Sequence, residues 1–148
     1  MISNAEEARI LAESGLLSGI PDHQLRQLAF ASERFTFTDG AVIVQQGEYP
    51  DKAFVVLSGE AGVFLKRDGA ETQIMRLGTG ELLGATALIS GGDYRATARA
   101  LGEVEVLRIP RDAFLALLES DKAAMAGVLE YLAKQQATAK TALGITFD

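Results

Sequence analysis

The sequence has no cysteine, no tryptophan and one histidine, His23. Without thiols there is no disulfide framework, no thiolate metal site and no cysteine nucleophile. A lone histidine cannot build the His-rich metal cluster of a metal-dependent β-barrel enzyme. It also has no serine in an elbow-like turn to serve as base for a Ser/His/Asp triad. Beside Pro21 and Asp22, His23 reads as a solvated first-turn residue of a helix. No uninterrupted apolar run reaches the roughly 18 residues that a membrane span needs. Positive charge is short too: 14 Lys and Arg stand against 20 Asp and Glu, a net charge of −6. The basic residues are scattered, which argues against nucleic-acid contact, because phosphate binding needs them clustered. The opening MISNAEEARI is acidic, unlike a secretory leader, so a soluble cytoplasmic protein is expected.

What is present is a core. Apolar residues make up 48% of 148 positions, enough for one domain and too many for a disordered chain. The chain divides into a helical segment (1–32), a strand-rich region (33–109), a second helical segment (110–143) and a short tail (144–148). Ser3 to Glu6, SNAE, fits a capping box opening a helix over about 4–13. Pro21 suits the first turn of a second helix ending near Ala31. Between Glu33 and Ile109 the runs RFTF, AVIV, AFVVL, AGVFL, TQIMRL, ATARAL and VEVLRI are separated by glycine turns. These turns include Ser58-Gly59, Asp68-Gly69 and Gly91-Gly92. Many short strands at this spacing predict a β-barrel or sandwich. Lys66-Arg67 before Asp68-Gly69 reads as a solvated hairpin tip, Glu103 and Glu105 as a solvated strand face, and Gly78-x-Gly80 as a turn rather than a nucleotide fingerprint.

Helical period returns after Pro110, through RDAFLALLES. Ser120 or Asp121 then caps a last helix reaching about Leu143. On it Met125, Leu129, Leu132, Gln136, Ala139 and Leu143 follow spacings of 4, 3, 4, 3 and 4. Such a stripe either packs on the chain's own barrel or pairs two subunits, with Gln136 as a polar break in the seam. A homodimer is the expectation.

The stretch DGAVIVQQGEYPDKAFVVLSGEAGVFL closely resembles the cyclic nucleotide-binding domain of Crp/Fnr regulators, protein kinase A regulatory subunits and gated channels. LGTGELLGATALISGGDYRATARALGEVEVLRIPRDAFLALL resembles the second half of that domain, with its phosphate-binding cassette. The resemblance covers roughly residues 16–140. It implies a mainly β fold with flanking helices: an eight-stranded, jelly-roll-like double-stranded β-helix barrel, N-terminal helices, and a long C-terminal helix that lids the pocket or pairs with another subunit.

In the family, the cassette's Glu takes the ribose 2′-hydroxyl and its Arg pairs with the cyclic phosphate, beside the amides of a short helix. Over segment 82–97, Gly84, Ala87-Leu88 and Gly91-Gly92 match the family's pattern. That register puts Ala85 where the Glu is usual, Asp93 where a Pro is usual, and Tyr94 in the Arg position nine residues after Ala85. Arg95 falls one place late. Strand alternation places Tyr94, Ala96, Ala98 and Ala100 on an apolar, inward face and Arg95, Thr97, Arg99 and Leu101 on the outer one. A bulge at Asp93–Tyr94 would instead turn Arg95 inward. Tyr94 then either fills the pocket and bonds a backbone group, or offers its hydroxyl to a different ligand.

The pocket candidates are therefore Leu83, Gly84, Ala85, Thr86, Ala87, Tyr94, Arg95, Ala96 and Thr97. The dimer-helix candidates are Met125, Leu129, Leu132, Gln136 and Ala139. The expected function is a non-enzymatic regulatory module with weakened or lost cAMP and cGMP binding. It would act through a protein partner or another small anionic ligand. Two alternatives stand beside it: a working cAMP or cGMP sensor using Arg95, and the sensor half of a Crp/Fnr-type regulator, although no helix-turn-helix follows before Asp148. No metal site is expected.

Overall fold

The computed structural model describes residues 4–13, 17 and 20–144. Ser3 of the capping box and tail residues 145–148 lie outside the described residues.

Two short helices come first, α1 (Asn4–Glu13) and α2 (Asp22–Ala31), the second entered from Pro21. Six strands follow: β1 (Glu33–Phe37), β2 (Val42–Val44), β3 (Lys52–Arg67), β4 (Ala70–Leu77), β5 (Leu82–Leu83) and β6 (Thr97–Pro110). The six-residue helix α3 (Ala85–Ser90) interrupts them before β6. Pro110 leads into α4 (Arg111–Ser120). The Asp121 carboxylate accepts from the Ala124 amide (3.0 Å) to cap α5 (Lys122–Ala142).

The sheet is antiparallel, with order β1-β6-β3-β4; β2 adds to β6 and β5 to β3. It is not closed, and it has six strands where eight were expected. The reason lies in β3 and β6, each of which carries two of the short runs read from the sequence. Ser58-Gly59, expected to be a turn, is a bulge inside continuous β3, where the register to β6 shifts on either side of Ser58. Gly59 has φ +85°, and a Cβ there would meet the Glu103 carbonyl oxygen at 2.3 Å, so only glycine lets the two strands bend together. Conversely β5, which seven runs did not include, pairs Leu82 and Leu83 with Val55 and Phe54. Asp68 (φ 53°) and Gly69 (φ 81°) form the two-residue hairpin tip between β3 and β4.

The lower halves of β3 and β6 form a wall with a core on each face. Phe54, Val56, Val104 and Val106 face one core, inside the rolled sheet. Ala53, Val55, Leu57, Leu107 and Ile109 face the other, where they meet Leu11, Leu25, Leu28, Phe114, Leu118, Val128 and Leu132 of the helices. Along VEVLRI, Val104 and Val106 face the first core and Leu107 and Ile109 the second, while Glu105 and Arg108 are half-buried.

Candidate functional site and its relatives

A cavity of about 460 Å³ opens between the sheet, α3 and α5. Val63 and Leu65 of β3, Ile74 and Leu77 of β4, and Ala98 of β6 form its inner wall. Of the nine pocket candidates, the structure brings eight to this cavity: Leu83, Gly84, Ala85, Thr86, Ala87, Tyr94, Arg95 and Ala96. Thr97 is not among them. It is 1% exposed, and its hydroxyl accepts from the Gln46 amide (3.0 Å) and the Gln45 side-chain amide (3.2 Å), fixing the loop after β2.

Gly84 sits at the turn from β5 into α3 with φ +80°. A Cβ there would come within 3.0 Å of the Tyr94 ring and 3.2 Å of the Lys52 carbonyl oxygen. The bare glycine therefore makes room for the tyrosine. Tyr94 is held at both ends. Its amide donates to the Glu48 carbonyl (2.9 Å), and its carbonyl accepts from the Gly47 amide (2.9 Å). Its hydroxyl donates to the Lys52 carbonyl (2.7 Å) and accepts from the Lys52 amide (3.3 Å). The ring is buried and stands as one wall of the cavity rather than filling it, so the hollow stays open beside it. Burial pushes its phenol up, against the hydrogen bond to Lys52 that pulls it down. With the hydroxyl engaged by backbone, Tyr94 is not the polar handle for a ligand that one sequence reading allowed.

Arg95 does not join a polar outer strand face, because β6 begins only at Thr97 and residues 91–96 are irregular. Its guanidinium reaches the cavity rim and donates to the Ser90 hydroxyl (3.0 Å). Arg99 does lie outward, paired with both oxygens of Glu71 on β4 and stacked 5.0 Å over Phe64. Ala85 is 2% exposed and presents only a methyl group.

The fourth wall is α5, through Gln135, Gln136, Ala139 and Lys140. The expected stripe on this helix is split. Met125 and Leu132 pack into the helical core, and Ala139 packs against the sheet core. Gln136 lies exposed at the cavity mouth, and only Leu129 stands out, 48% exposed. Residues 125–139 therefore do not present one continuous seam.

Sequence reasoning missed the tether between this helix and the cassette. The Tyr131 hydroxyl accepts from the Leu82 amide (3.1 Å) and from the Gln135 side-chain amide (2.7 Å), and donates to Glu81 (3.3 Å). The Gln135 amide also donates to the Leu82 carbonyl (3.3 Å). Burial pushes the Tyr131 phenol up to about 12, with the Glu81 carboxylate adding to the rise. The signal was available: Tyr131 and Gln135 are a polar pair four residues apart, one step round the helix from the stripe.

His23 is exposed in the first turn of α2, away from the cavity. Among the described residues no group of three or more His, Asp or Glu is placed to hold a metal. No described helix is long and apolar enough to cross a membrane.

The family model for the cyclic nucleotide-binding domain matches residues 34–121. A cAMP-dependent protein kinase regulatory subunit from Mucor circinelloides is 32% identical over 108 residues, 73% of this chain and 25% of that protein. The chain thus spans about a quarter of that relative's length. The Thermus thermophilus catabolite activator protein superposes with a TM-score of 0.75 at 26% identity, over 88% of this chain and 62% of that one. A cyclic nucleotide-binding-like protein from Brucella abortus gives 0.65 at 34% identity, over 77% and 98%. With the family model matched over residues 34–121 and a relative 32% identical over 73% of the chain, the chain belongs to the cyclic nucleotide-binding domain family.

Proposed function

We propose that this chain is a regulatory sensor module, without chemistry of its own, whose cyclic-nucleotide affinity is weakened or lost. It works in the cytoplasm as a homodimer and passes its state to a protein partner. One observation carries the reading. At the positions the family gives to a ribose-reading acid and a phosphate-pairing arginine stand the Ala85 methyl and a Tyr94 hydroxyl already bonded to Lys52. Losing one partner of a buried ion pair costs about 3–5 kcal/mol, on the order of two to three decades of affinity. A micromolar site so altered falls near millimolar.

Titration calorimetry with cAMP and cGMP tests this: no saturable binding in the micromolar range is expected. Micromolar binding by the unaltered protein refutes the reading. The double variant Ala85→Glu, Tyr94→Arg is expected to raise cAMP affinity by about two decades.

The second reading, a working cyclic-nucleotide sensor, draws support from the position of Arg95 at the cavity rim. Under it, the unaltered protein binds cAMP at micromolar concentration and Arg95→Gln abolishes that binding. A third, the sensor half of a transcription regulator, rests on the likeness to the catabolite activator protein.

A further inference from the structure

The cavity is two-ended. Its depth is aliphatic, formed by Val63, Leu65, Ile74, Leu77, Leu83 and Ala98. A sugar hydroxyl taken there leaves water and gains little in return, which is costly for a buried polar group. The mouth is cationic. Arg95 stands on one side and Lys140 of α5 on the other. None of the lining residues is acidic, although the chain carries 20 Asp and Glu against 14 Lys and Arg. The Arg95 guanidinium bonds only to the neutral Ser90 hydroxyl, so among the described residues its charge is not matched by a carboxylate.

We infer that the cavity takes a small carboxylic acid with an apolar body, its chain or ring against the aliphatic walls and its carboxylate at Arg95. This rests on the reading that a cyclic nucleotide is not the occupant. Charge complementarity selects an anion, and the aliphatic depth selects a body without hydroxyls. An exposed guanidinium at the rim suits a single charge left partly in water. Such an occupant touches Gln136 and Ala139 as well, so its presence is felt on α5.

The test uses the whole chain and four probes: sodium octanoate, 1-octanol, inorganic phosphate and cAMP. Binding is read by calorimetry and by shifts of the Ala85, Ala87 and Ala98 methyl signals in NMR. Octanoate is expected to bind saturably and shift these methyls, with octanol about fivefold weaker, the size of an exposed ion pair. Phosphate should not bind. Arg95→Gln, a surface change, should bring octanoate close to octanol. Ala98→Phe should block both, its folding checked by circular dichroism; if it does not fold, the contrast between octanoate and octanol still decides. Equal binding of octanoate and octanol, phosphate binding as tightly as octanoate, or no octanoate binding by folded protein overturns the inference. Micromolar cAMP binding overturns the underlying reading instead. Absence of both octanoate and cAMP binding sinks this inference alone.

Discussion

The two cores on either side of the β3–β6 wall differ in how they are filled. The helical side closes around Phe114, with Leu11, Leu107, Ile109 and Val128, all 0% exposed, and large side chains meet from several elements. The sheet side leaves a cavity of about 460 Å³, where Ala87, Ala96 and Ala98 stand among larger aliphatic side chains such as Val63, Leu65 and Ile74. Dense packing secures a fold and an unfilled hollow receives something. The β3–β6 wall separates these tasks, with alternate side chains facing the filled core and the hollow.

Truncation should show the contrast most strongly. Phe114→Ala is expected to cost about 3–5 kcal/mol in a denaturant melt, as removal of a fully enclosed ring does. A loss below about 1 kcal/mol would mean the helical side is looser than its burial indicates.

Enlargement sharpens the comparison from the other direction. Ala53→Val adds bulk to the filled side, where Ala53 is 0% exposed, and is expected to cost about 1–3 kcal/mol. Ala98→Val adds the same bulk facing the hollow and is expected to change stability by less than about 0.5 kcal/mol. Equal costs in the two melts would erase the distinction between the cores.

Tyr131 ties the two regions together and gives a pH signature. Its phenol titrates at about 12 in the folded chain against a reference value of 10.0. The raised value means that the folded state favours the protonated phenol. That stabilisation is fully present below about pH 10 and drains away as pH rises toward 12. Tyr131→Phe should therefore flatten the fall in stability over this window, while costing about 1–2 kcal/mol near neutrality from lost hydrogen bonds. An unchanged slope would separate the tether from the titration.

The smallest expected effect on stability concerns the proposed homodimer. Leu132 faces the chain's own core, so its replacement by Glu would unfold the helix rather than separate subunits. Leu129→Glu is the sharper probe: stability is expected to stay within about 0.5 kcal/mol while light scattering shows the mass halved. An unchanged mass would place any subunit contact elsewhere.

Much of this was legible in the sequence, for local reasons. Pro110 and Asp121 mark the starts of α4 and α5 because a fixed φ and a capping carboxylate act within one turn. The hairpin tip at Asp68-Gly69 follows from two residues that accept positive φ. Ser58-Gly59 was misread because the same dipeptide serves a turn or a bulge, and what decides is the backbone of Glu103 across the ladder. The cassette residues gathered at the cavity because their register was carried by many matched positions. The contributions of α5 were obscured because a heptad count treats a helix as facing one partner. Here the helix meets the helical core with Val128 and Leu132, the cassette with Tyr131 and Gln135, and the hollow with Ala139.

Tyr131 and Gln135 grip the peptide groups flanking Leu82, its N–H and its C=O, and leave its side chain to the core. Replacements at position 82 that keep the strand thus preserve the attachment, whereas a single substitution on the helix can sever it. Apart from the Glu81 carboxylate, which accepts from Tyr131, the cassette offers only backbone to this joint, and mutations that uncouple it from the helix should collect on α5.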